Sequence, residues 1–149
     1  MNALQSKALG PLAVFLRVSL AASYLSSVTS RFGFWGEDTG WGNYAAFLDY
    51  TAKVNPYLPL SMIPTIARVV DVAEISIALL LLIGFRIKET ALLSGAMLFI
   101  FAFGMNLGVG VISTLDHSVY TACFASFILA VLNDDTFTLD EYLSRPPAR

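Results

Sequence analysis

Four apolar stretches, separated by shorter polar segments, dominate the pattern of hydrophobic and polar positions along the chain. They cover residues 10–29, 64–85, 90–111 and 118–132, of which the last is the shortest. The hydrocarbon core of a bilayer is about 30 Å thick, so a helix needs about 20 mostly apolar residues to cross it. The stretches lack the alternation of barrel strands, and lipid cannot satisfy an open backbone. The pattern therefore predicts an all-α membrane protein, a single domain built as a four-transmembrane-helix bundle.

The first apolar stretch also has features of a secretory signal peptide. Lys7 precedes it, and the small residues 21–23 lie near its end. Arg17 interrupts the apolar run, however, and three further apolar stretches follow. We therefore interpret this stretch as a retained first span.

Two further short helices are predicted outside the spans. In the outer loop, residues 30–63, apolar and aromatic side chains recur at helical spacing, which predicts a short interfacial helix. These side chains are Tyr44, Phe47, Leu48 and Thr51. The aromatic loop suits either a belt that anchors the protein at the headgroups or a lid over a substrate site. In the tail, residues 133–149, Thr138 and Glu141 have capping-box spacing, which predicts a short C-terminal amphipathic helix.

Basic residues beside the spans predict the orientation of the chain. With four crossings, the N-terminus, the turn 84–89 and the tail lie on one side, which carries five basic residues: Lys7, Arg86, Lys88, Arg145 and Arg149. The other side carries Arg31 and Lys53. Because cytoplasmic flanks are enriched in lysine and arginine, we expect both termini in the cytoplasm and the protein in the inner membrane.

Composition agrees with the membrane class and limits the chemistry. The 149 residues are 56% hydrophobic and only 13% charged, with a formal net charge of -2, so nucleic acid is not an expected partner. The partners that this composition implies are lipids, small apolar molecules and other proteins, either other subunits or further copies of the chain. Cys123 is the only cysteine, which excludes an internal disulfide and a CxxC redox pair. One histidine and one cysteine are too few for a closed zinc site or bis-histidine haem, so no metal or haem site is predicted.

Charged residues inside the apolar stretches are the main candidates for a site. Arg17 lies in the first stretch, and Arg68, Asp71 and Glu74 share a polar stripe in the second. Each charge near a helix centre costs about 2.5–3.5 kcal/mol to insert, so these side chains should face protein and pair with one another. From their depths we expect an Arg17–Glu74 ion pair. Arg68 and Asp71 should pair nearer the outer face, where Arg31 can join them.

This polar cluster has two interpretations that the residues leave open. The charges can simply neutralise one another and fix how the helices pack. Alternatively, ionisable residues within a membrane mark a site for a ligand, a proton or a quinone. Coupled carboxylates beside arginines can exchange the protons that a quinone takes up or releases.

Secondary candidates lie elsewhere on the chain. Tyr24 shares the helix face of Arg17, while Asp116 and His117 stand in the outer loop before the fourth span. A histidine can shuttle protons at neutral pH, but a solvated loop pair is the commoner explanation for Asp116 and His117. Tyr24 is equally well explained as a packing residue or as a neighbour of a quinone. Gly104 and Gly108 have the GxxxG spacing that lets two helices approach closely, either within the chain or in a dimer.

The chain resembles the DoxX family along nearly its whole length. The resemblance lies in RVSLAASYLSSVTSRFGFWG, in YTAKVNPYLP at the end of the aromatic loop, and in ARVVDVAEISIALLLLIGFRIKETAL. It is carried by five residues: Arg17, Arg31, Glu74, Gly84 and Arg86. Members of this family and of the similar DoxD group are four-helix membrane proteins associated with redox enzymes, and the DoxD group includes a subunit of thiosulfate:quinone oxidoreductase.

The resemblance implies a membrane subunit of a redox system linked to the quinone pool. Glu74 and Asp71 would then exchange protons, while Arg17, Arg31 and Arg68 would hold an anionic substrate or a quinone oxygen. Two alternatives remain. The chain can be a non-catalytic anchoring or assembly subunit of an oxidoreductase complex, or a small transporter, although no internal repeat is evident. No catalytic residue is assigned, and whether the chain is itself an enzyme stays open.

Overall fold

The computed structural model describes residues 3–36, 38–132 and 134–144, with side chains from Leu9 onward. Within these ranges the fold is all-helical and has no strand. Seven α-helices follow one another: α1 (Ala3–Arg31), α2 (Tyr44–Val54), α3 (Ile63–Ile83), α4 (Ile87–Gly108), α5 (Val111–Asp116), α6 (Val119–Leu132) and α7 (Leu139–Ser144). A 3-10 turn, Leu60–Met62, leads into α3.

Two helices of the described chain are long and apolar enough to cross a membrane. They are Leu9–Arg31 within α1 and Ile87–Gly108, which is α4. The helix α3 has 21 residues but includes three charged side chains, and α6 is apolar but has only 14 residues. The all-helical class is therefore confirmed for the described residues, while the four-span bundle stays a prediction.

Four helices pack side by side around the core. The helix α1 contacts α3 and α6, and α4 contacts the same two helices, so the four form a closed ring. Small residues let the helices approach closely, and Ala13, Ala21, Ala78 and Ala91 are fully buried. The outward faces carry large apolar side chains such as Phe15, Val72, Ile100 and Phe124. A surface of this kind marks contact with lipid or with another protein.

The ends of α3 follow from its sequence. Pro64 lies in the first turn of the helix, where a missing N–H breaks no helical hydrogen bond. At the other end, Gly84 takes the left-handed conformation with φ of 71°, and its N–H donates to the carbonyl of Leu80 at 3.0 Å. Glycine adopts this conformation without a steric penalty, so α3 stops there and the chain turns into α4.

The GxxxG glycines of α4 pack against α2 of the same chain. A Cβ atom on Gly108 would lie 2.2 Å from the backbone oxygen of Lys53 and 2.5 Å from Cα of Val54. A Cβ atom on Gly104 would lie 3.1 Å from the backbone oxygen of Val54. The two glycines therefore admit the backbone of α2, which is one of the two roles that this spacing left open.

Both helices predicted outside the spans are present. The helix α2 covers the residues with helical spacing in the outer loop, and Asn43 caps it by accepting the N–H of Ala46 at 2.9 Å. At α7, the Thr138 hydroxyl accepts the N–H of Glu141 at 2.9 Å, and the Glu141 carboxylate accepts the N–H of Phe137 at 3.1 Å. This reciprocal arrangement resembles the capping box that the spacing predicted.

The tail folds back onto the turn between α3 and α4. The N–H of Leu139 donates to the carbonyl of Gly84 at 3.1 Å, and the carboxylate of Asp140 accepts the N–H of Arg86 at 2.6 Å. A Cβ atom on Gly84 would lie 2.7 Å from Cα of Thr138, so the glycine also admits the tail backbone. The turn and the tail therefore lie at the same end of the bundle.

The helix boundaries differ from the predicted spans by a few residues at most ends, and two of the differences change the predicted loops. The loop expected between the third and fourth spans contains α5, whose last residue is Asp116. The first helix continues to Arg31, although residues 30 and 31 were expected in the outer loop. The extension places the Arg31 side chain on the same helix as Arg17.

We predict that Gly108→Ala destabilises the protein by about 1–3 kcal/mol, because the added methyl group meets the backbone of α2. Thermal unfolding in detergent measures the change. The neighbouring Leu107→Ala is the control, since Leu107 is exposed on the outward face of α4. Equal stability of Gly108→Ala and the wild type would show that α2 does not rest on this glycine face.

Candidate functional site

Three polar side chains line one buried face of α1. Arg17, Tyr24 and Arg31 follow one another at seven-residue intervals, which places them on the same side of the helix. All three are buried. At about 1.5 Å per residue, Arg17 and Arg31 are about 21 Å apart along the helix axis. One helix face therefore carries a buried cation near each end of the bundle.

Arg31 joins two carboxylates of α3. Its Nη1 atom pairs with Oδ1 of Asp71, and its Nη2 atom lies 2.7 Å from Oε2 of Glu74. Asp71 and Glu74 are three residues apart, so both face α1 and reach one guanidinium. The Tyr44 hydroxyl of α2 donates to the second oxygen of Asp71 at 2.7 Å. We call Arg31, Asp71, Glu74 and Tyr44 the outer ion cluster.

Aromatic and hydroxyl groups complete the surroundings of Arg31. Nη2 also donates to the Ser27 hydroxyl at 3.1 Å, and the guanidinium lies 3.7 Å from the centre of the Phe47 ring. Trp41 packs edge-on against Phe47, and its indole N–H donates to Ser27 at 3.3 Å. The aromatic loop and α2 therefore cover the cluster, and the cation–π contact adds to the attraction.

The outer ion cluster contains one more carboxylate than guanidinium, and its charged members are buried. The Glu74 Oε2 atom is close to Arg31 but lies outside hydrogen-bonding alignment. The Nε atom of Arg31 has no hydrogen-bond partner among the described residues. Buried polar atoms nearly always have partners, so the cluster keeps capacity for another proton or another polar group.

A groove of about 400 Å³ opens beside the cluster. Phe32, Tyr44, Arg68, Asp71 and Val72 line it. Arg68 is exposed at its rim, and the Phe32 and Tyr44 rings stack with centroids 5.6 Å apart. The groove therefore combines apolar walls with the guanidinium of Arg68 and with the carboxylate of Asp71, which accepts a hydrogen bond from the phenol of Tyr44.

Burial raises the pKa of the Tyr44 phenol, and donation of its proton to Asp71 raises that pKa further. The phenol therefore stays protonated at neutral pH and continues to donate to the carboxylate. Burial likewise raises the pKa of Tyr50, whose ring packs edge-on against Trp41.

Arg17 lies in separate surroundings at the other end of the bundle, and the expected Arg17–Glu74 ion pair is wrong. Its Nε atom donates to the Leu81 carbonyl at 3.2 Å. Its two terminal nitrogens donate to the carbonyls of Thr136 at 2.9 Å and Phe137 at 3.0 Å. Phe137 has a positive φ of 52°, which is uncommon outside glycine, and its carbonyl is one of those that meet the guanidinium. Arg17 therefore holds the tail against the bundle, while Glu74 pairs with Arg31.

The expected Arg68–Asp71 ion pair is also wrong. The two oxygens of Asp71 bind Arg31 and Tyr44, and Arg68 forms no ion pair within the described residues. Arg31, which we expected only to join this pair, is the central cation. Tyr44 was predicted as part of the interfacial helix but not as a site residue, and a period-3.6 pattern gives no sign of which phenol meets a carboxylate.

The secondary candidates lie outside the cluster. The Tyr24 hydroxyl is 2.8 Å from the Ser94 hydroxyl, which is 2.9 Å from that of Ser126, so Tyr24 links α1 to α4 and α6. Asp116 and His117 are exposed at the end of α5, where His117 Nδ1 lies 2.7 Å from the carbonyl oxygen of Ser113. Among the described residues, no group of histidine, cysteine and acidic side chains is placed to hold a metal ion.

Comparisons with protein-family models, with curated protein sequences and with solved structures find no match to the chain. The resemblance to the DoxX family is therefore carried only by the residues named above.

We predict that Arg17→Met releases the tail and lowers the free energy of unfolding by about 2–4 kcal/mol, because three charge-assisted hydrogen bonds are lost. Limited proteolysis should cut the segment 134–144 much faster than in the wild type, and thermal unfolding measures the stability. Arg86→Met is the control, since the Arg86 side chain is exposed and only its backbone N–H holds the tail. A tail equally protected in both variants would contradict this role of Arg17.

Proposed function

We propose that the chain is a four-span inner-membrane protein with both termini in the cytoplasm, and that it is the membrane subunit of a redox system linked to the quinone pool. The tail and the α3–α4 turn meet at one end of the bundle, so the chain between them crosses the bundle an even number of times, which supports the four-span arrangement. The pairing of Asp71 and Glu74 with Arg31 offsets part of the cost of placing α3 in lipid, which also supports this arrangement.

The groove beside the outer ion cluster is the observation that carries the quinone proposal. A quinone headgroup is a flat ring with two oxygens that gain charge and then protons when the ring is reduced. Apolar and aromatic walls from Phe32 and Val72 suit the ring. The Arg68 guanidinium at the rim would stabilise negative charge as it develops on an oxygen. The residues that line the groove therefore suit a quinone ring in polarity and in charge.

The outer ion cluster would supply or accept protons for that reaction. With two carboxylates and one guanidinium, the cluster carries one net negative charge, which one proton neutralises. Asp71 reaches both the cluster and the groove, and Tyr44 hydrogen-bonds to it. The electrons would pass between the quinone and a redox centre of a partner subunit. In this proposal the chain binds the quinone and handles protons, and the partner handles the electrons.

The resemblance to the DoxX family supports the same class of function. Of the residues that carry it, Arg31 and Glu74 form an ion pair, and Gly84 and Arg86 receive the tail. Arg17 holds the same tail from inside the bundle. The residues that carry the resemblance thus lie at the two polar centres of the bundle.

A second candidate function is a non-catalytic anchoring or assembly subunit. It is favoured by the way Arg31 ties together three helices, since Asp71 and Glu74 belong to α3 and Phe47 to α2. Under this alternative, Glu74→Gln would lower folded yield and recovery of the partner without changing a turnover rate. Under the quinone proposal, the same variant would lower quinone-linked turnover in protein that is still folded.

We predict that the purified protein in nanodiscs binds a quinone and that Arg68→Gln weakens binding by about 5- to 30-fold, because one charged hydrogen bond is lost. Both tryptophans, Trp35 and Trp41, lie in the outer loop, so quenching of their fluorescence by quinone measures the dissociation constant. Arg86→Gln is the matched control, because it removes an exposed arginine at the other end of the bundle. Absence of quinone binding by the wild type, or equal weakening in both variants, would contradict the proposal.

A further inference from the structure

Backbone strain is concentrated where the tail meets the bundle. Three non-glycine residues of the described chain have a positive φ, and two of them lie at this contact. Phe137 has φ of 52°, and its carbonyl accepts a hydrogen bond from Arg17. Arg86 has φ of 46°, and its N–H donates to the carboxylate of Asp140. A left-handed backbone is costly for residues with a side chain, and such residues cluster at binding and switch sites. The contact therefore holds the tail in a strained conformation.

The guanidinium of Arg17 presents its two terminal nitrogens to the tail as a fork. They donate to the carbonyls of Thr136 at 2.9 Å and Phe137 at 3.0 Å, while Nε donates to the Leu81 carbonyl at 3.2 Å. Among the described residues, no carboxylate forms an ion pair with this buried cation. Two parallel donors of this kind match two oxygens of one phosphate or carboxylate. The tail carbonyls therefore occupy the position that an oxyanion would take.

Two glycines make room for the tail beside this fork. A Cβ atom on Gly10 of α1 would lie 2.5 Å from Oγ1 of Thr136. A Cβ atom on Gly84 would lie 2.7 Å from Cα of Thr138. The glycines thus form a cradle next to Arg17 that residues 136–138 fill. Without the tail, both the cradle and the terminal nitrogens of Arg17 would be open.

Departure of the tail would also change the charge at this end of the bundle. Residues 134–144 carry no basic side chain and four carboxylates: Asp134, Asp135, Asp140 and Glu141. The whole tail, which includes two arginines, is still acidic. The α3–α4 turn carries two exposed basic residues, Arg86 and Lys88. An anion is therefore opposed by the docked tail, whereas Arg17 and the turn would attract it once the tail has left.

We propose that Arg17 and the glycine cradle form a phosphate-binding site that the tail covers, and that a phosphate group competes with the tail for it. A phosphate suits three neighbouring basic residues better than a carboxylate, because it carries up to two negative charges. It can belong to a soluble phosphate or to a lipid headgroup at this membrane surface, since both present the same oxygens to the fork. Binding would free the tail and release the strain at Phe137. The site lies at the opposite end of the bundle from the outer ion cluster, and the inference is independent of the quinone proposal.

The test adds inorganic phosphate to the full-length protein in a maltoside detergent. Calorimetry measures phosphate binding, and limited proteolysis of the segment 134–144 reports release of the tail. Sodium chloride at the same ionic strength is the reference. We expect phosphate to bind and to speed cutting at least about fivefold over chloride, because a free tail is open to the protease and a docked tail is not.

A second arm separates the two sources of phosphate. The protein is placed in nanodiscs of phosphatidylcholine, either alone or with about one-third phosphatidylglycerol, and no free phosphate is added. Faster cutting with phosphatidylglycerol assigns the site to an anionic lipid headgroup. Faster cutting with inorganic phosphate alone assigns it to a soluble phosphate.

Variants of the tail should change phosphate affinity in opposite directions, because the tail competes for the site. Phe137→Gly relieves the strain and removes a ring that is 82% exposed, so the tail should dock more firmly and phosphate should bind about fivefold more weakly. Asp140→Ala removes the acceptor of the Arg86 N–H, so phosphate should bind about fivefold more tightly. Asp135→Ala is the matched control, because it removes an exposed carboxylate from the same tail.

Two variants of Arg17 test the fork itself. Arg17→Met removes the cation and should abolish phosphate binding. Arg17→Lys keeps the charge but lacks two parallel donors, so phosphate should bind at least about tenfold more weakly than in the wild type.

Three results would overturn the inference. Equal cutting in phosphate and chloride, without binding by calorimetry, would leave Arg17 as a purely structural contact. Binding that survives Arg17→Met unchanged would place the phosphate elsewhere. Equal effects of Asp140→Ala and Asp135→Ala would show that the charge of the tail, and not its release, governs the affinity.

Discussion

The guanidinium of Arg31 lies between the carboxylates of Asp71 and Glu74, and the rest of the bundle depends on this contact. All three groups are buried, and removing one partner of a buried ion pair typically costs about 3–5 kcal/mol, because the other charge is left uncompensated. The contact fixes α1 against α3 at one height. It also brings in α2, since Tyr44 binds Asp71 and Phe47 covers Arg31.

The two arginines on the buried face of α1 are satisfied by different chemistry. Arg31 lies between the carboxylates of Asp71 and Glu74 and forms buried ion pairs with both. Arg17 donates hydrogen bonds to three backbone carbonyls, two of which belong to the tail, so the tail packs against the bundle at this end. One helix face thus carries two arginines in different surroundings, and the groove lies beside the one that pairs with carboxylates.

The sequence predicted the elements better than it predicted the contacts between them. Periodicity and capping residues placed α2 and α7, and Pro64 and Gly84 marked the ends of α3, because these signals are local. The six-residue α5 was not predicted, since a helix this short between two spans is too brief to show a periodic pattern. The sequence left the role of Gly104 and Gly108 open. The GxxxG spacing predicts that another helix packs closely against these glycines, but it does not identify that helix.

Arg17, Arg31, Asp71 and Glu74 are buried as predicted, but Arg68 is exposed, and two of the expected ion pairs were wrong. The prediction paired Arg17 with Glu74 because it considered only charged side chains at similar depth. The carbonyls that bind Arg17 belong to Thr136 and Phe137, and a backbone carbonyl has no signature in the sequence. They reach Arg17 because the tail folds back and packs against Gly84. The prediction placed Arg31 in the outer loop. In the structure α1 continues to Arg31, which brings this side chain next to Glu74.

Double-mutant cycles on the free energy of unfolding test the central contact most directly. One cycle combines Arg31→Gln with Glu74→Gln, and the other combines Arg17→Gln with Glu74→Gln. We expect a coupling energy of about 1–3 kcal/mol in the first cycle and less than about 0.5 kcal/mol in the second, because only Arg31 touches Glu74. Strong coupling of Arg17 to Glu74, with none for Arg31, would contradict the account.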